Sequence, residues 1–298
     1  MDIIEPASWP QVRDGLPKVN FLWEYLIPAG GTKTLLHGPP GCGKSALAWG
    51  VLNAVAAGER YLGLDTSQSK ALLISNDMNL FEFKHRWGGD FEPRFAFVCT
   101  PKFDCTKDDF QTCDFAKSIS TYLREKQIGF VVFDALGGIH AGRSAKDDEV
   151  ATMVDHALSK WLGDVAILLI AHDRKTRYGS DGNPQEPSQD DFMGSQMWRA
   201  NATSQVHLWA TGKHSSILVH DKSQVSEKLE RKIKLYIDLH GRAETWNEAR
   251  ANEVVRKYND AVRTLGLSGL PETERVARVA IHCGVSERTV WRWKTLVE

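Results

Sequence analysis

The chain has 298 residues, 42% of them hydrophobic and 25% charged, and a formal net charge of −1. It is long enough for one large α/β domain with a small companion, or for two domains, and its composition is that of an ordinary globular protein. Near-neutral charge excludes a globally basic nucleic-acid binder, and strand-sized apolar runs with no leader pattern exclude export or a membrane span.

In chain order, Pro6, Pro10, Pro17 and Pro28 punctuate a lead-in around Phe21-Leu22-Trp23, whose aromatics pack either on the core or on a neighbouring subunit. Thr32–His37 reads as a buried strand, followed by Gly38-Pro39-Pro40-Gly41-Cys42-Gly43-Lys44-Ser45 and a helix that stops near Gly58. Strand, G-x-x-x-x-G-K-S turn and helix together make a phosphate cradle: glycines let backbone N–H groups point inward, and the helix N-terminus adds its dipole. Gly38, Pro39, Gly41, Cys42, Gly43, Lys44, Ser45 and Ala46 form the expected nucleotide contact, with Lys44 reaching the β- and γ-phosphates and the Ser45 hydroxyl on Mg²⁺. Cys42 is one of five cysteines, an odd number without a C-x-x-C pair, which predicts reduced thiols in a cytoplasmic protein rather than a disulfide frame or a cysteine zinc site.

A second strand, 70–75, delivers Asn76-Asp77 to the carboxyl edge of a parallel sheet; Asp77 is there either a site acid or the cap of a helix over 78–87. A third strand is expected over 94–99 and an amphipathic helix over 106–126. Ile128–Phe133 is a near-continuous apolar strand ending in Asp134, the Walker B pattern of an acid that holds metal-bound water. Asp147, Asp148 and Glu149 open the next helix, where acids suit the dipole. The strand 165–170 then leads to His172, a contact for a γ-phosphate or a plain polar cap. Residues 176–191 lack apolar periodicity and read as a long functional loop before a helix start at Gly194-Ser195. Strands at 205–210, 215–220 and 232–239 precede an amphipathic helix over 244–265, with Trp246, Val254, Val255, Tyr258 and Val262 as its buried face. From Pro271 onward, Val276 to Trp293 has helix-turn-helix spacing: Ala280 permits close contact, Gly284 turns, and Ser286 caps the second helix. Ser286, Glu287, Arg288, Trp291 and Arg292 would face a DNA groove; the other use of such a pair is oligomerisation.

These motifs resemble the RecA-like ATPases, and within them the hexameric replicative helicases of the RepA and DnaB types, over roughly 22–239. The resemblance implies an α/β core with a largely parallel sheet flanked by helices, ATP and Mg²⁺, and a homo-oligomer, expected as a hexamer. It makes Lys44, Asp77 and His172 the catalytic set, with Asp77 where the family has a glutamate that polarises water, ahead of Lys84-His85-Arg86. Ser45 and Asp134 hold the metal. The loop 175–191 becomes a pore loop touching single-stranded DNA through Lys175 and Arg177 at its root. Lys222 and Arg231 are the candidates for a basic residue acting on the neighbour's site, although Gln224 departs from the family's Lys-x-Arg. Outside that family core, the C-terminal helix-turn-helix resembles the small DNA-binding units of phage and plasmid proteins, in which Ser286, Arg288 and Arg292 would touch duplex DNA. The implied organisation is a lead-in (1–22), the ATPase domain (23–241), a connecting helix (242–266) and an all-α helix-turn-helix domain (267–298). The expected function is a helicase or helicase-like ATPase of a mobile element. The alternatives are an ATP-switched DNA-bound regulator or recombination accessory and, more remotely, a small-molecule kinase, for which no acceptor signature exists.

Overall fold

The computed structural model describes residues 19–87, 94–99, 114–139, 148–173, 192–212, 214–237 and 243–294, with positions 180 and 185. The expected loop 176–191, with Lys175 and Arg177 at its root, lies outside these residues apart from those two positions. So do most of the lead-in and the first part of the helix expected from 106.

Strands β1 (Phe21–Trp23) and β2 (Ile27–Pro28) pair antiparallel as a small separate ribbon. Trp23 is buried, donates its indole N–H to the Tyr61 carbonyl at 3.2 Å and lies 5.7 Å from the Tyr61 ring. Of the two destinations open to the lead-in aromatics, Trp23 takes its own core.

The main sheet holds β3 (Lys33–Gly38), β4 (Ala71–Ser75), β5 (Ala96–Cys99), β6 (Phe130–Asp134), β7 (Ala166–His172), β8 (Ser204–Gly212), β9 (Ser215–Ser223), β10 (Ile233–Ile237) and β11 (Ala243–Thr245). Their order is β11-β10-β9-β8-β3-β7-β6-β4-β5. From β8 to β5 every pairing is parallel, and from β8 to β11 every pairing is antiparallel. The parallel strands are apolar at successive positions because both faces are covered. Leu36, Leu73, Val132 and Leu168 pack on one face with α1 (Lys44–Ala57). On the other face, Leu35, Leu72, Val131 and Ile167 pack against helices α3 (Asp114–Lys126) and α4 (Asp148–Leu162). The mixed α/β architecture with a largely parallel sheet is therefore the one expected.

Two boundaries differ from expectation for local reasons. Helix α2 (Leu80–Trp87) starts two residues after Met78, because Asn79 and Glu82 exchange backbone and side-chain hydrogen bonds at 2.9 Å as a reciprocal cap. The helix expected from Glu244 instead begins at Trp246: α6 (Trp246–Thr264) follows β11, whose three residues pair with Leu235, Tyr236 and Ile237. Sheet pairing there overrides the helical pattern.

A third apolar cluster joins α6 to α7 (Glu272–Cys283) and α8 (Glu287–Lys294) through Tyr258, Ala261, Leu267, Val276, Val279, Ala280 and Val290. Gly284 ends α7 with φ 65°, and the Ser286 hydroxyl accepts the Thr289 N–H at 3.2 Å. No helix among the described residues is long and apolar enough to cross a membrane.

Candidate active site

Gly38 ends β3, and the chain must turn sharply to enter α1. Gly41 and Gly43 adopt φ of 77° and 96°, left-handed values that glycine takes without strain. A side chain at Gly43 would strike Ile237, and one at Gly38 would strike the Leu208 carbonyl, so sheet neighbours close around the turn. The Ser216 hydroxyl pins the turn by donating to the Cys42 carbonyl at 2.8 Å. Lys44 is 5% exposed, and its ammonium folds back over the turn to the Gly38 and Pro39 carbonyls, each at 2.8 Å. The N-terminus of α1 carries no side-chain cap and no acid in its first turn. An anion is what such a terminus lacks, and the arrangement fits phosphate. Burial pushes the Cys42 thiol above its ordinary pKa, which favours the neutral thiol.

Along the same edge, β7, β6 and β4 lie in that order beyond β3. Asp134 ends β6 in register with Ser75 of β4, and both are buried. A buried carboxylate here and the half-buried Ser45 hydroxyl in the first turn of α1 are hard oxygen donors, a set that suits Mg²⁺. Asn76, which sequence reasoning passed over, clamps this corner. Its N–H donates to the Asp134 carbonyl at 2.9 Å, and its Oδ1 accepts the Ala135 N–H at 2.9 Å. The only signal for it was its place between a strand end and Asp77.

Asp77 follows, exposed, and its Oδ2 lies 3.8 Å from Nε2 of His172 at the end of β7. Asn79, not Asp77, accepts the Glu82 N–H at the start of α2. Asp148 does more than suit a dipole: its carboxylate accepts a short hydrogen bond from the Ser195 hydroxyl, tying α4 to the start of α5 (Gln196–Asn201).

The remaining candidates lie apart from this edge. The Lys222 ammonium donates to the Arg199 and Ala200 carbonyls at 2.9 Å each, capping α5 of its own chain. Partial burial and the Arg199 charge lower its pKa. Arg231 is exposed, 3.5 Å from the Gly63 carbonyl. Ser286 and Arg288 are exposed at the start of α8, and Trp291 is 40% exposed; the Arg292 side chain lies outside what is described.

Four buried or half-buried groups went unnoticed in the sequence: His37, Asp173, His207 and Asp221 meet directly beneath the glycine-rich turn. Pairing of β3 with β8 brings the two histidines side by side from 170 residues apart.

The glycine-rich turn with Lys44, on a largely parallel sheet, defines a P-loop ATPase. Residues 4–178 match the family model described as AAA domain, and the chain belongs to that family. The matched span contains Lys44, Asp77, Asp134 and His172 and stops before β8. Among solved structures, a KaiC-like protein from the hyperthermophilic archaeon Pyrococcus horikoshii OT3 is similar in fold. Its TM-score is 0.52 at 16% identity, over 77% of this chain and 98% of that one. No curated protein matches.

Proposed function

We propose that the protein is a Mg²⁺-dependent ATP hydrolase that assembles as a ring and acts on DNA. The observation that carries the hydrolase is the convergence of the Lys44 turn, Asp134, Asp77 and His172 on one edge of four adjacent strands. On ATP binding, Lys44 leaves the Gly38 and Pro39 carbonyls for the β- and γ-phosphate oxygens and stabilises the charge that develops on the transferring phosphoryl group. Ser45 and Asp134 would hold Mg²⁺, which would supply further charge neutralisation. Asp77 accepts a proton from, or orients, the attacking water. His172, within ion-pair distance of Asp77, reports whether the γ-phosphate is present to the chain that follows β7.

Action on DNA rests on the exposed Arg288 and Trp291 of the C-terminal helical pair and on the resemblance to replicative helicases. A basic residue from the next subunit would complete each site in a ring. A second reading, an ATP-switched DNA-bound regulator that does not unwind, is favoured by Lys222, which is already engaged within its own chain. The deciding experiment measures ATP turnover with and without single-stranded DNA, alongside strand displacement on forked duplexes. DNA-stimulated turnover with unwinding supports the helicase; ATP-dependent duplex binding with slow turnover and no unwinding supports the switch. Absence of Mg²⁺-dependent turnover under every condition rejects both.

A further inference from the structure

Ser75 closes β4, is 1% exposed, and stands in register with Asp134 at the end of β6. Side chains along a strand alternate between the two faces of a sheet. Ala71 and Leu73 of β4, like Phe130 and Val132 of β6, pack in the apolar cluster that contains α1. Ser75 and Asp134 come two residues after Leu73 and Val132, so both project from that same face, at its carboxyl edge. Helix α1 lies over both strands. Its Ser45 and Trp49 share one side of the helix, and the Trp49 ring sits 5.1 Å from Phe83 of α2, the helix that follows β4. Ser45, Asp134 and Ser75 are therefore turned toward one corner, between the start of a helix and two adjacent strand ends.

We propose that the Ser75 hydroxyl, beside Asp134, holds the water shell of nucleotide-bound Mg²⁺ and so acts as a positioning residue for the metal. The inference rests on the hydrolase reading of this edge.

Three observations lead there. The first is an orphaned group. The other buried serines among the described residues are Ser195, Ser204 and Ser216. The Ser195 hydroxyl donates to the Asp148 carboxylate and accepts the Met197 N–H at 2.9 Å. Ser204 donates to the Leu26 carbonyl at 2.7 Å, and Ser216 to the Cys42 carbonyl at 2.8 Å. Ser75 Oγ is buried as deeply and has no hydrogen-bond partner within the chain. A buried hydroxyl left unpaired destabilises the fold, and alanine would fill this strand end at less cost. Such a group earns its place by what it meets in the bound state.

The second is rigidity. The Asn76 N–H donates to the Asp134 carbonyl at 2.9 Å, and its Oδ1 accepts the Ala135 N–H at 2.9 Å. Together with the parallel ladder, this clamp fixes Ser75 relative to Asp134 before any ligand arrives.

The third is chemistry. Mg²⁺ dehydrates reluctantly and keeps several waters beside one or two carboxylates and the substrate phosphates. Water on a cation is a strong donor and needs acceptors around it. Asp134 offers a carboxylate. Ser75 offers a neutral oxygen, which adds no negative charge to a corner that must also receive a triphosphate. Outer-shell partners of this kind orient what surrounds a metal and tune its affinity.

The test uses the full chain and a fluorescent, non-hydrolysable ATP analogue, with binding followed as Mg²⁺ is titrated and bound Mn²⁺ counted by electron paramagnetic resonance. Ser75→Ala should raise the Mg²⁺ half-saturation roughly 10–100-fold, the loss typical of a removed outer-shell partner. It should leave nucleotide affinity in chelator unchanged, and the nucleotide-free unfolding temperature equal or higher. Ser75→Thr, which keeps a hydroxyl, should restore the Mg²⁺ dependence. Ser204→Ala should do the opposite of Ser75→Ala: a lower unfolding temperature with the parental Mg²⁺ dependence. If Ser75→Thr does not fold, the paired readouts of Ser75→Ala decide. A parental Mg²⁺ half-saturation in Ser75→Ala overturns this inference alone. So does failure of Ser75→Ala to fold, or a lowered unfolding temperature with nucleotide affinity in chelator weakened alike, the marks of a merely structural serine. Nucleotide binding by the parent that ignores Mg²⁺ and Mn²⁺ overturns the hydrolase reading, and this inference with it.

Discussion

Asp77 and His172 face each other at 3.8 Å across strand ends, both nearly half exposed, open to solvent and to substrate. Asp77→Asn should keep nucleotide binding and lower turnover roughly 100-fold or more, the loss expected when a positioned acid–base group is removed. Lys44→Ala should lower turnover by at least about 100-fold and weaken triphosphate binding as well, since the ammonium serves both states. Radiolabelled ATP hydrolysis and equilibrium nucleotide binding separate the two outcomes. His220 carries a pH effect of different origin. Burial lowers its pKa, Lys228 adds to this, and Lys222 and Asp221 oppose it. Its Nδ1 accepts the Leu229 N–H at 3.0 Å, and Nε2 meets the Ser204 hydroxyl at 3.1 Å. Because the folded ring resists a proton that the unfolded ring accepts near pH ~6.5, stability is whole above that value and declines as pH falls below it. Thermal unfolding followed from pH 8 downward should show this slope, and His220→Asn should flatten it.

Short elements here owe their ends to particular partners. Helix α5 has only six residues, and its final carbonyls at Arg199 and Ala200 are met by the Lys222 ammonium. Lys222→Ala should cost about 1 kcal/mol, the worth of a charged donor at a partly exposed site, read as a lower denaturant midpoint. Arg231→Ala should leave stability unchanged, since its 3.5 Å contact with the Gly63 carbonyl lies at the surface. If Arg231 serves a neighbouring site, the same variant slows turnover of the assembled protein. At the C-terminal pair, Gly284 has φ 65° with nothing within 4 Å of a built Cβ, so conformational strain alone opposes a side chain. Gly284→Ala should destabilise α7 and α8 by about 1–2 kcal/mol, seen as faster amide exchange there with the main sheet unaffected.

The whole molecule presents one edge with a phosphate loop, two strand-end acids and a histidine, and an antiparallel extension from β8 to β11 behind it. If the site is completed by a neighbour, the native mass should rise with a non-hydrolysable ATP analogue and Mg²⁺. Lys44→Ala should abolish the rise, and native mass spectrometry would read it directly. The extension also explains why Gly43 is intolerant: Ile237 of β10 fills the space where a side chain would go.

Sequence alone settled what depends on neighbours along the chain. A strand, the Gly38 to Ser45 turn and a helix ending at Gly58 are local in their causes, through backbone freedom at glycine and continuous apolar runs, and they appear as read. Asp134 was legible for the same reason, as the acid closing an apolar strand. Tertiary structure alone decided what depends on strand order. Capping of α2 fell to Asn79, the clamp by Asn76 needed β4 beside β6, and β11 claimed residues that read as helix. His37 and His207 looked like isolated polar residues in apolar strands, because periodicity reports which face a residue takes and not which strand lies alongside. Only the parallel pairing of β3 with β8, closed by β7 and β9, gathers them with Asp173 and Asp221.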